Sequence, residues 1–98
     1  MIHQLKIKEN FYNAIKNEDK RFEIRKNDRG FKEGDRLALN KINEEGKETG
    51  ESLLVRVDYI LDDVDYCKDG YVVMSINLEN IYEYGRIWPV KEAEHGTN

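Results

Sequence analysis

The sequence predicts a small α+β domain, a mixed β-barrel of about five or six strands with one short helix after the first strand. Its length of 98 residues is enough for one ordinary domain. Three segments space their apolar residues with the period of two that is typical of half-buried strands, and two further apolar segments are also predicted to be strands. Gly, Asn and Asp between the segments provide turns at short spacing, which favours a small barrel or sandwich.

The first two elements are predicted to be a strand and a helix. In the segment HQLKIK, Leu5 and Ile7 alternate with polar residues, as in a half-buried strand. The next segment, ENFYNAIKN, spaces Phe11, Ala14 and Ile15 by three and four residues, which gives a helix one apolar face. Because so short a helix is marginal alone, we expect it to pack on the sheet.

The second strand is predicted in the segment KRFEIRKNDR, where seven of ten residues are charged. Phe22 and Ile24 lie two residues apart, as on one face of a strand, and we expect both to be buried in the barrel core. Truncation of either to Ala is then expected to cost about 2–5 kcal/mol. Arg21, Glu23 and Arg25 share the opposite side, which faces either water or a binding site.

Three further strands are predicted in the segments DRLALNKI, SLLVRVDYIL and YVVMSINL. The second of these is rich in the β-branched and aromatic residues that favour strands. The polar segments NDRGFKEGD, NEEGKETGE and DDVDYCKDG are predicted to form the loops that precede and separate these strands.

We divide the chain into a barrel domain over residues 1–80 and a C-terminal extension over residues 81–98. The extension holds side chains that are too apolar for a free tail, and we expect them to pack on the domain or to contact a protein partner. These side chains are Ile81, Tyr82, Tyr84, Ile87 and Trp88. The last segment, KEAEHGTN, is expected to be mobile.

The charge of the chain is unevenly distributed. The net charge of −4 argues against a protein that coats DNA by general electrostatic attraction. Residues 1–32 hold nine Lys and Arg against five Asp and Glu, whereas residues 33–98 hold seven against fifteen. A basic patch can therefore exist on this acidic protein, because the local field matters more than the total charge. The alternative is that folding intersperses the charges of both signs, so that no basic patch forms.

The composition indicates neither a metal site nor a membrane segment. Cys67 is the only cysteine, so no internal disulfide can form, which fits a reducing compartment. His3 and His95 do not provide metal-ligand spacing with it. No apolar run approaches the roughly 20 residues that span a bilayer, and no signal-peptide apolar region follows Met1. We expect a cytoplasmic protein with no cofactor and no membrane partner.

The segment KNEDKRFEIRKNDRGFKEGD resembles the ASCH branch of the PUA-like superfamily. The pieces HQLKIK, YIL and GYVVMSI match around it in order, so that the likeness covers roughly residues 2–78. Together they resemble a small ASCH-like family of bacterial and phage proteins with no assigned function. Lys20, Glu23 and Arg25 fill the last three places of the signature G-x-K-x-x-E-x-R, and Glu18 stands at the glycine place.

The resemblance implies a PUA-like β-barrel with an open cleft, in which signature residues line the cleft beside the helix and relatives bind RNA. One ASCH branch hydrolyses an acetylated cytidine, and the resemblance implies that it uses a Lys and a Thr from this same strand. Lys20 matches that Lys, but Glu23 stands at the Thr position. Since a carboxylate has no hydroxyl to activate, the nucleophilic role does not transfer, and we assign no catalytic residue.

We therefore predict an RNA- or nucleotide-binding module with a cleft lined by Lys20, Glu23 and Arg25. Arg25 offers a planar donor fork that suits a phosphate or a base edge. Further candidates for ligand contact are Arg21, Lys26, Asn27, Arg29 and Lys6. Lys26, Asn27 and Arg29 follow the strand, and the ordinary polarity of a turn explains their presence equally well.

Two alternative functions stay open at this point. A small hydrolase that acts on a modified nucleoside would keep Lys20 and use Glu23 as a general base toward water. A protein-interaction domain of phage or mobile-element origin would dock on another protein through the aromatic C-terminal extension.

Overall fold

A computed structural model describes residues 1–90, and the predicted mobile segment at residues 91–98 lies outside the described residues. Within the described part, the strands are β1 (Ile2–Lys8), β2 (Phe22–Lys26), β3 (Arg36–Ile42), β4 (Glu48–Leu61), β5 (Tyr71–Glu83) and β6 (Arg86–Pro89). The helix α1 (Glu9–Lys16) follows the first strand, as predicted. No helix in residues 1–90 has the length and apolar character to cross a bilayer.

All the described strands belong to one mixed sheet with the order β1-β3-β4-β5-β2, and β6 pairs with β5. β1 and β3 pair in parallel, while the other pairs are antiparallel. The sheet curls into a half-barrel, which confirms the predicted small α+β fold in its coarse form. Its two end strands, β1 and β2, are joined by side chains. We call the gap between their free edges the seam.

The curl of the sheet has a local cause in the pairing of β4 with β5, where one extra residue lies in each strand. The pairing register with β5 shifts between Leu54 and Val55 and again between Val57 and Tyr59. An extra residue in one strand of an antiparallel pair bends that strand and increases its twist. These two irregularities curl the longest pair of strands in the sheet.

The core lies on the concave side of the sheet, under α1. Its fully or largely buried apolar side chains are Leu5, Ile7, Tyr12, Ile15, Phe31, Leu37, Leu39, Leu53, Val55, Val57, Val72, Met74, Ile76 and Leu78. This set confirms the alternation predicted for β1 and β3, and it shows that β4 and β5, which were predicted as strands, also bury every second residue over much of their length. In α1 the buried residues are Tyr12 and Ile15, whereas Phe11 is half exposed, which corrects its predicted place on the packed face.

The prediction that Phe22 and Ile24 are buried is wrong. Their side chains are 44% and 56% exposed, and Glu23 between them is only 3% exposed. A period of two determines which residues share a face, but it does not determine which face turns inward. Glu23 can turn inward because two cations bond its carboxylate, so that burial leaves no uncompensated charge.

We expect Ile24→Ala to lower the free energy of unfolding by less than about 1 kcal/mol, because most of the side chain is already solvated. Leu39→Ala is the matched control: Leu39 is fully buried, and its truncation is expected to cost about 2–5 kcal/mol. Urea denaturation followed by circular dichroism measures both values. A loss for Ile24→Ala as large as that of the control would contradict the orientation of β2.

β5 continues past residue 80, so that residues 81–83 of the predicted extension belong to the sheet. β6 forms a hairpin on β5 and was not predicted. The two turn residues, Tyr84 and Gly85, both have positive φ, as in the type I′ turns that match strand twist. Ile81 packs against the core, whereas Tyr84, Ile87 and Trp88 are exposed.

Candidate functional site

A cavity of about 360 Å³ opens at the seam, and we call it the seam cleft. β1, α1 and β2 each contribute to it, together with the residues that lead into β2. The lining residues are Lys6, Ile7, Lys8, Phe11, Lys20, Phe22, Glu23, Ile24 and Arg25. The cleft therefore combines four cationic side chains and a single carboxylate with several apolar ones.

Glu23 is the buried acid of the seam cleft, and it is held by two cations. Lys20 Nζ donates a hydrogen bond to one carboxylate oxygen at 2.7 Å, and Arg25 Nε donates to the other at 3.0 Å. Lys20, Glu23 and Arg25 thus form one ion-paired group at the start of β2. Each oxygen of Glu23 already accepts a hydrogen bond from a cation. The main role of the carboxylate is therefore to orient Lys20 and Arg25.

Arginine side chains close the seam where a backbone ladder is missing. Arg25 Nη2 donates to the carbonyl oxygen of Lys6 at 3.0 Å, and Arg29 Nη1 donates to that of Gln4 at 3.0 Å. Both carbonyls belong to the free edge of β1, which would otherwise present unpaired acceptors. Arg25 therefore has two structural tasks, because it bonds both Glu23 and the opposite edge strand.

Two phenyl rings share the ammonium group of Lys20. Its Nζ lies 4.8 Å from the centre of the Phe22 ring and 5.4 Å from that of the Phe11 ring, within the range of cation–π contacts. The same Nζ donates to the carbonyl oxygen of Phe22 at 2.6 Å. Phe11 and Phe22 are each 44% exposed. The cleft therefore presents two aromatic rings and a fixed positive charge to a ligand.

The structure brings four of the predicted site residues to the cleft and leaves four outside its lining. Lys6, Lys20, Glu23 and Arg25 belong to the lining. The other four are exposed around it and have local roles. Arg21 donates to the carbonyl of Glu18, Arg29 reaches Gln4, Asn27 accepts from the backbone of Phe31 in the turn, and Lys26 ends β2.

The sequence patterns gave no indication of the apolar lining of the cleft. Their spacing predicts Phe22 and Ile24 in the barrel core and Phe11 on the packed face of the helix. Periodicity alone cannot separate a core residue from one that faces an open cleft between two edge strands, because both are apolar and both alternate. Lys8 also lines the cleft and was not predicted.

A second polar group lies at the start of β1 and is buried. His3 Nε2 lies 2.8 Å from a carboxylate oxygen of Asp35, and the Phe31 ring packs edge-on against the imidazole at 4.8 Å. The hydrogen bond from His3 is the main reason why the pKa of Asp35 is lowered, and a backbone N–H of Lys32 adds to it against the effect of burial. This group fastens the loop before β3 to β1.

A third polar group joins α1 to the end of β5. The hydroxyl of Tyr12 donates to Glu83 at 2.6 Å, and Lys16 Nζ donates to the same carboxylate at 2.8 Å. Burial alone would raise the pKa of Glu83, but the hydrogen bonds from Lys16 and Tyr12 outweigh it and lower the pKa. Burial also raises the pKa of Tyr12. Within residues 1–90, no three His, Cys, Asp or Glu side chains are grouped to hold a metal ion.

Comparison with known proteins gives a family but no activity. The model of a family described as a domain of unknown function, DUF3850, matches residues 2–76. The matched region includes every residue that lines the seam cleft. No curated protein matches this chain.

Proposed function

Because this chain belongs to the DUF3850 family, a domain of unknown function, we propose its role from the seam cleft: it is an ASCH/PUA-like module that binds RNA or a nucleotide there. The observation that supports this proposal is the pair of half-exposed phenyl rings, Phe11 and Phe22, around the ammonium group of Lys20. Aromatic faces beside a cation are the chemistry that a base with its phosphate requires.

The size and lining of the cleft suit a nucleobase. Its volume of about 360 Å³ falls within the range of small-molecule sites. Stacking of a base on an aromatic side chain contributes about 1–3 kcal/mol, whichever base is present. Phe11 stands on α1 and Phe22 on β2, so that a base which contacts both rings would bridge the helix and the seam.

The charges of the cleft suit an anion even though the whole chain is acidic. Lys6 and Lys8 are exposed on the same face of β1, two residues apart, and can act as point charges toward a phosphate. Lys20 and Arg25 are already bonded to Glu23, so their part is to hold the shape of the site. A few cations give a local positive field that the total charge does not reveal.

The bonding of Glu23 favours binding over hydrolysis. A general base must lie within hydrogen-bond reach of the water that it deprotonates, and Glu23 is only 3% exposed. Both oxygens of Glu23 accept hydrogen bonds from cations at 2.7 and 3.0 Å. The group at the signature positions is therefore better suited to positioning a ligand than to removing a proton.

The test is fluorescence anisotropy of a labelled short single-stranded RNA at two salt concentrations. Phe11→Ala is expected to weaken binding by about 1–3 kcal/mol, roughly 5- to 150-fold in Kd, through lost stacking. Trp88→Ala is the matched control, because it also removes an exposed aromatic side chain but does not line the cleft. Affinity should fall only moderately as salt rises, because few phosphates are contacted.

Absence of binding by the unaltered protein at low salt would overturn the proposal. Equal losses for Phe11→Ala and Trp88→Ala would place the site elsewhere and favour a contact through β6. Arg25→Ala should also weaken binding, but it is a less direct test because Arg25 also holds the seam closed.

A further inference from the structure

A second hollow adjoins the seam cleft on the outer face of β2. It encloses about 330 Å³ and is lined by Ile24, Tyr66, Cys67, Lys68, Tyr71 and Val73. Ile24 lines both this hollow and the seam cleft. The two cavities are thus neighbours across one exposed aliphatic side chain.

The pairing of β2 with β5 explains how the second hollow is built. Ile24 pairs with Val73, and Lys26 pairs with Tyr71. Their side chains point outward, because the residues that alternate with them in β5, such as Val72, are buried. Tyr66 reaches the same place from the loop between β4 and β5 and is 80% exposed.

The second hollow repeats the chemistry of the seam cleft. It contains two aromatic rings, those of Tyr66 and Tyr71, and one lysine. Lys68 Nζ lies 5.4 Å from the centre of the Tyr71 ring, close to the distance that separates Lys20 from Phe11 in the seam cleft. Two hollows with the same aromatic and cationic lining, side by side, suit a ligand that repeats the same unit.

The geometry points to a ligand of linked nucleotides, and we propose that the second hollow binds the base that follows the one in the seam cleft. This inference rests on the proposed function. Phe22 lines the seam cleft and Ile24 lines both hollows, and these residues lie two apart in β2, about 7 Å along the strand, a step that one nucleotide of an extended single strand can bridge. Lys26 is exposed on the same face as Ile24 and provides a charge for the phosphate that links the bases.

The loop that carries Tyr66 limits the length of the bound strand. It also contains the exposed acidic side chains Asp62, Asp63, Asp65 and Asp69. Their carboxylates repel any phosphate that continues past the second hollow. The site therefore binds two nucleotides, and additional nucleotides do not increase the affinity.

Calorimetric titration with adenosine 5′-monophosphate, a di-adenylate and a tetra-adenylate tests the inference. The dinucleotide is expected to bind roughly 5- to 150-fold more tightly than the mononucleotide, and the tetranucleotide within about twofold of the dinucleotide. Tyr66→Ala should remove the gain, so that the dinucleotide then binds about as tightly as the mononucleotide. Tyr59→Ala is the matched control, since Tyr59 is exposed on the same face but lines neither hollow.

The outcomes separate the two proposals. Mononucleotide binding without a gain from the second nucleotide overturns the second subsite and leaves the proposed function standing. Failure of all three ligands to bind overturns the proposed function itself, and the subsite with it. A much tighter tetranucleotide contradicts the two-nucleotide limit. Self-association that Tyr66→Ala abolishes would show that this face contacts a second copy of the chain, which also overturns the subsite.

Discussion

Glu23→Ala is expected to destabilise the protein by about 3 kcal/mol and to abolish ligand binding in the seam cleft. Removal of the carboxylate leaves Lys20 and Arg25 close together with no counter-charge. Their side chains are 16% and 24% exposed, so they can partly rehydrate, which places the cost at the lower end of the range for broken buried pairs. Binding is lost because Lys20 and Arg25 lose the carboxylate that holds them together, and each is then held only by its bond to a backbone carbonyl.

Chemical denaturation and RNA anisotropy at neutral pH measure the two effects of Glu23→Ala. Glu23→Gln is the matched variant, since it keeps the shape and one acceptor oxygen and should lose less stability than the Ala variant. For stability, Ile24→Ala controls for truncation at the neighbouring position on the opposite face of β2; for binding, the control is Trp88→Ala, which lies outside the cleft. Unchanged stability of Glu23→Ala would contradict the ion-paired burial of the carboxylate.

The sequence predicts the body of the sheet well because burial there is one-sided. Leu37 and Leu39, for example, alternate with residues that are polar or small, so that β3 has one strongly apolar face to bury. β6 could not be predicted from the sequence because it has only four residues, all of them exposed, and ends at Pro89. The start of β4 could not be predicted for a similar reason, since its first residues are exposed and have the composition of a loop.

The second strand marks the limit of such reasoning, because both of its faces have a physical use. One face carries Phe22 and Ile24, which a core could bury, and the other carries Glu23, which only paired cations can compensate. Sequence spacing brings Lys20, Glu23 and Arg25 near one another. It does not reveal that Arg25 also reaches the carbonyl of Lys6, since that contact depends on how far the sheet curls.

Glu83→Ala is the second substitution with a large expected effect, a loss of about 3 kcal/mol in the free energy of unfolding. The hydroxyl of Tyr12 would be left buried without its hydrogen-bond acceptor, and α1 would lose its ion pair to the end of β5. Tyr12→Phe is the matched comparison. It removes the same hydrogen bond but leaves Glu83 paired with Lys16, so we expect a cost of only about 1 kcal/mol.

The pH dependence of stability gives a separate test of the same carboxylate. Since the pKa of Glu83 is lowered in the folded protein, the unfolded chain binds its proton first as the pH falls. The stabilisation is therefore complete above the usual carboxylate range, about pH 4–5, and is lost as the pH falls through the lowered folded pKa. Asp35, whose pKa is lowered mainly by His3, contributes in the same direction.

Glu83→Gln removes this titration and leaves that of Asp35. The difference in unfolding free energy between the unaltered protein and Glu83→Gln should thus be largest near pH 7 and should shrink toward pH 3, while both proteins still lose stability in acid. Urea titrations at several pH values measure the difference. The Asp35→Asn variant should instead keep the part of the acid-induced loss of stability that comes from protonation of Glu83. A difference between the unaltered protein and Glu83→Gln that stays constant from pH 7 to pH 3 would mean that Glu83 has the same pKa in the folded and unfolded chains.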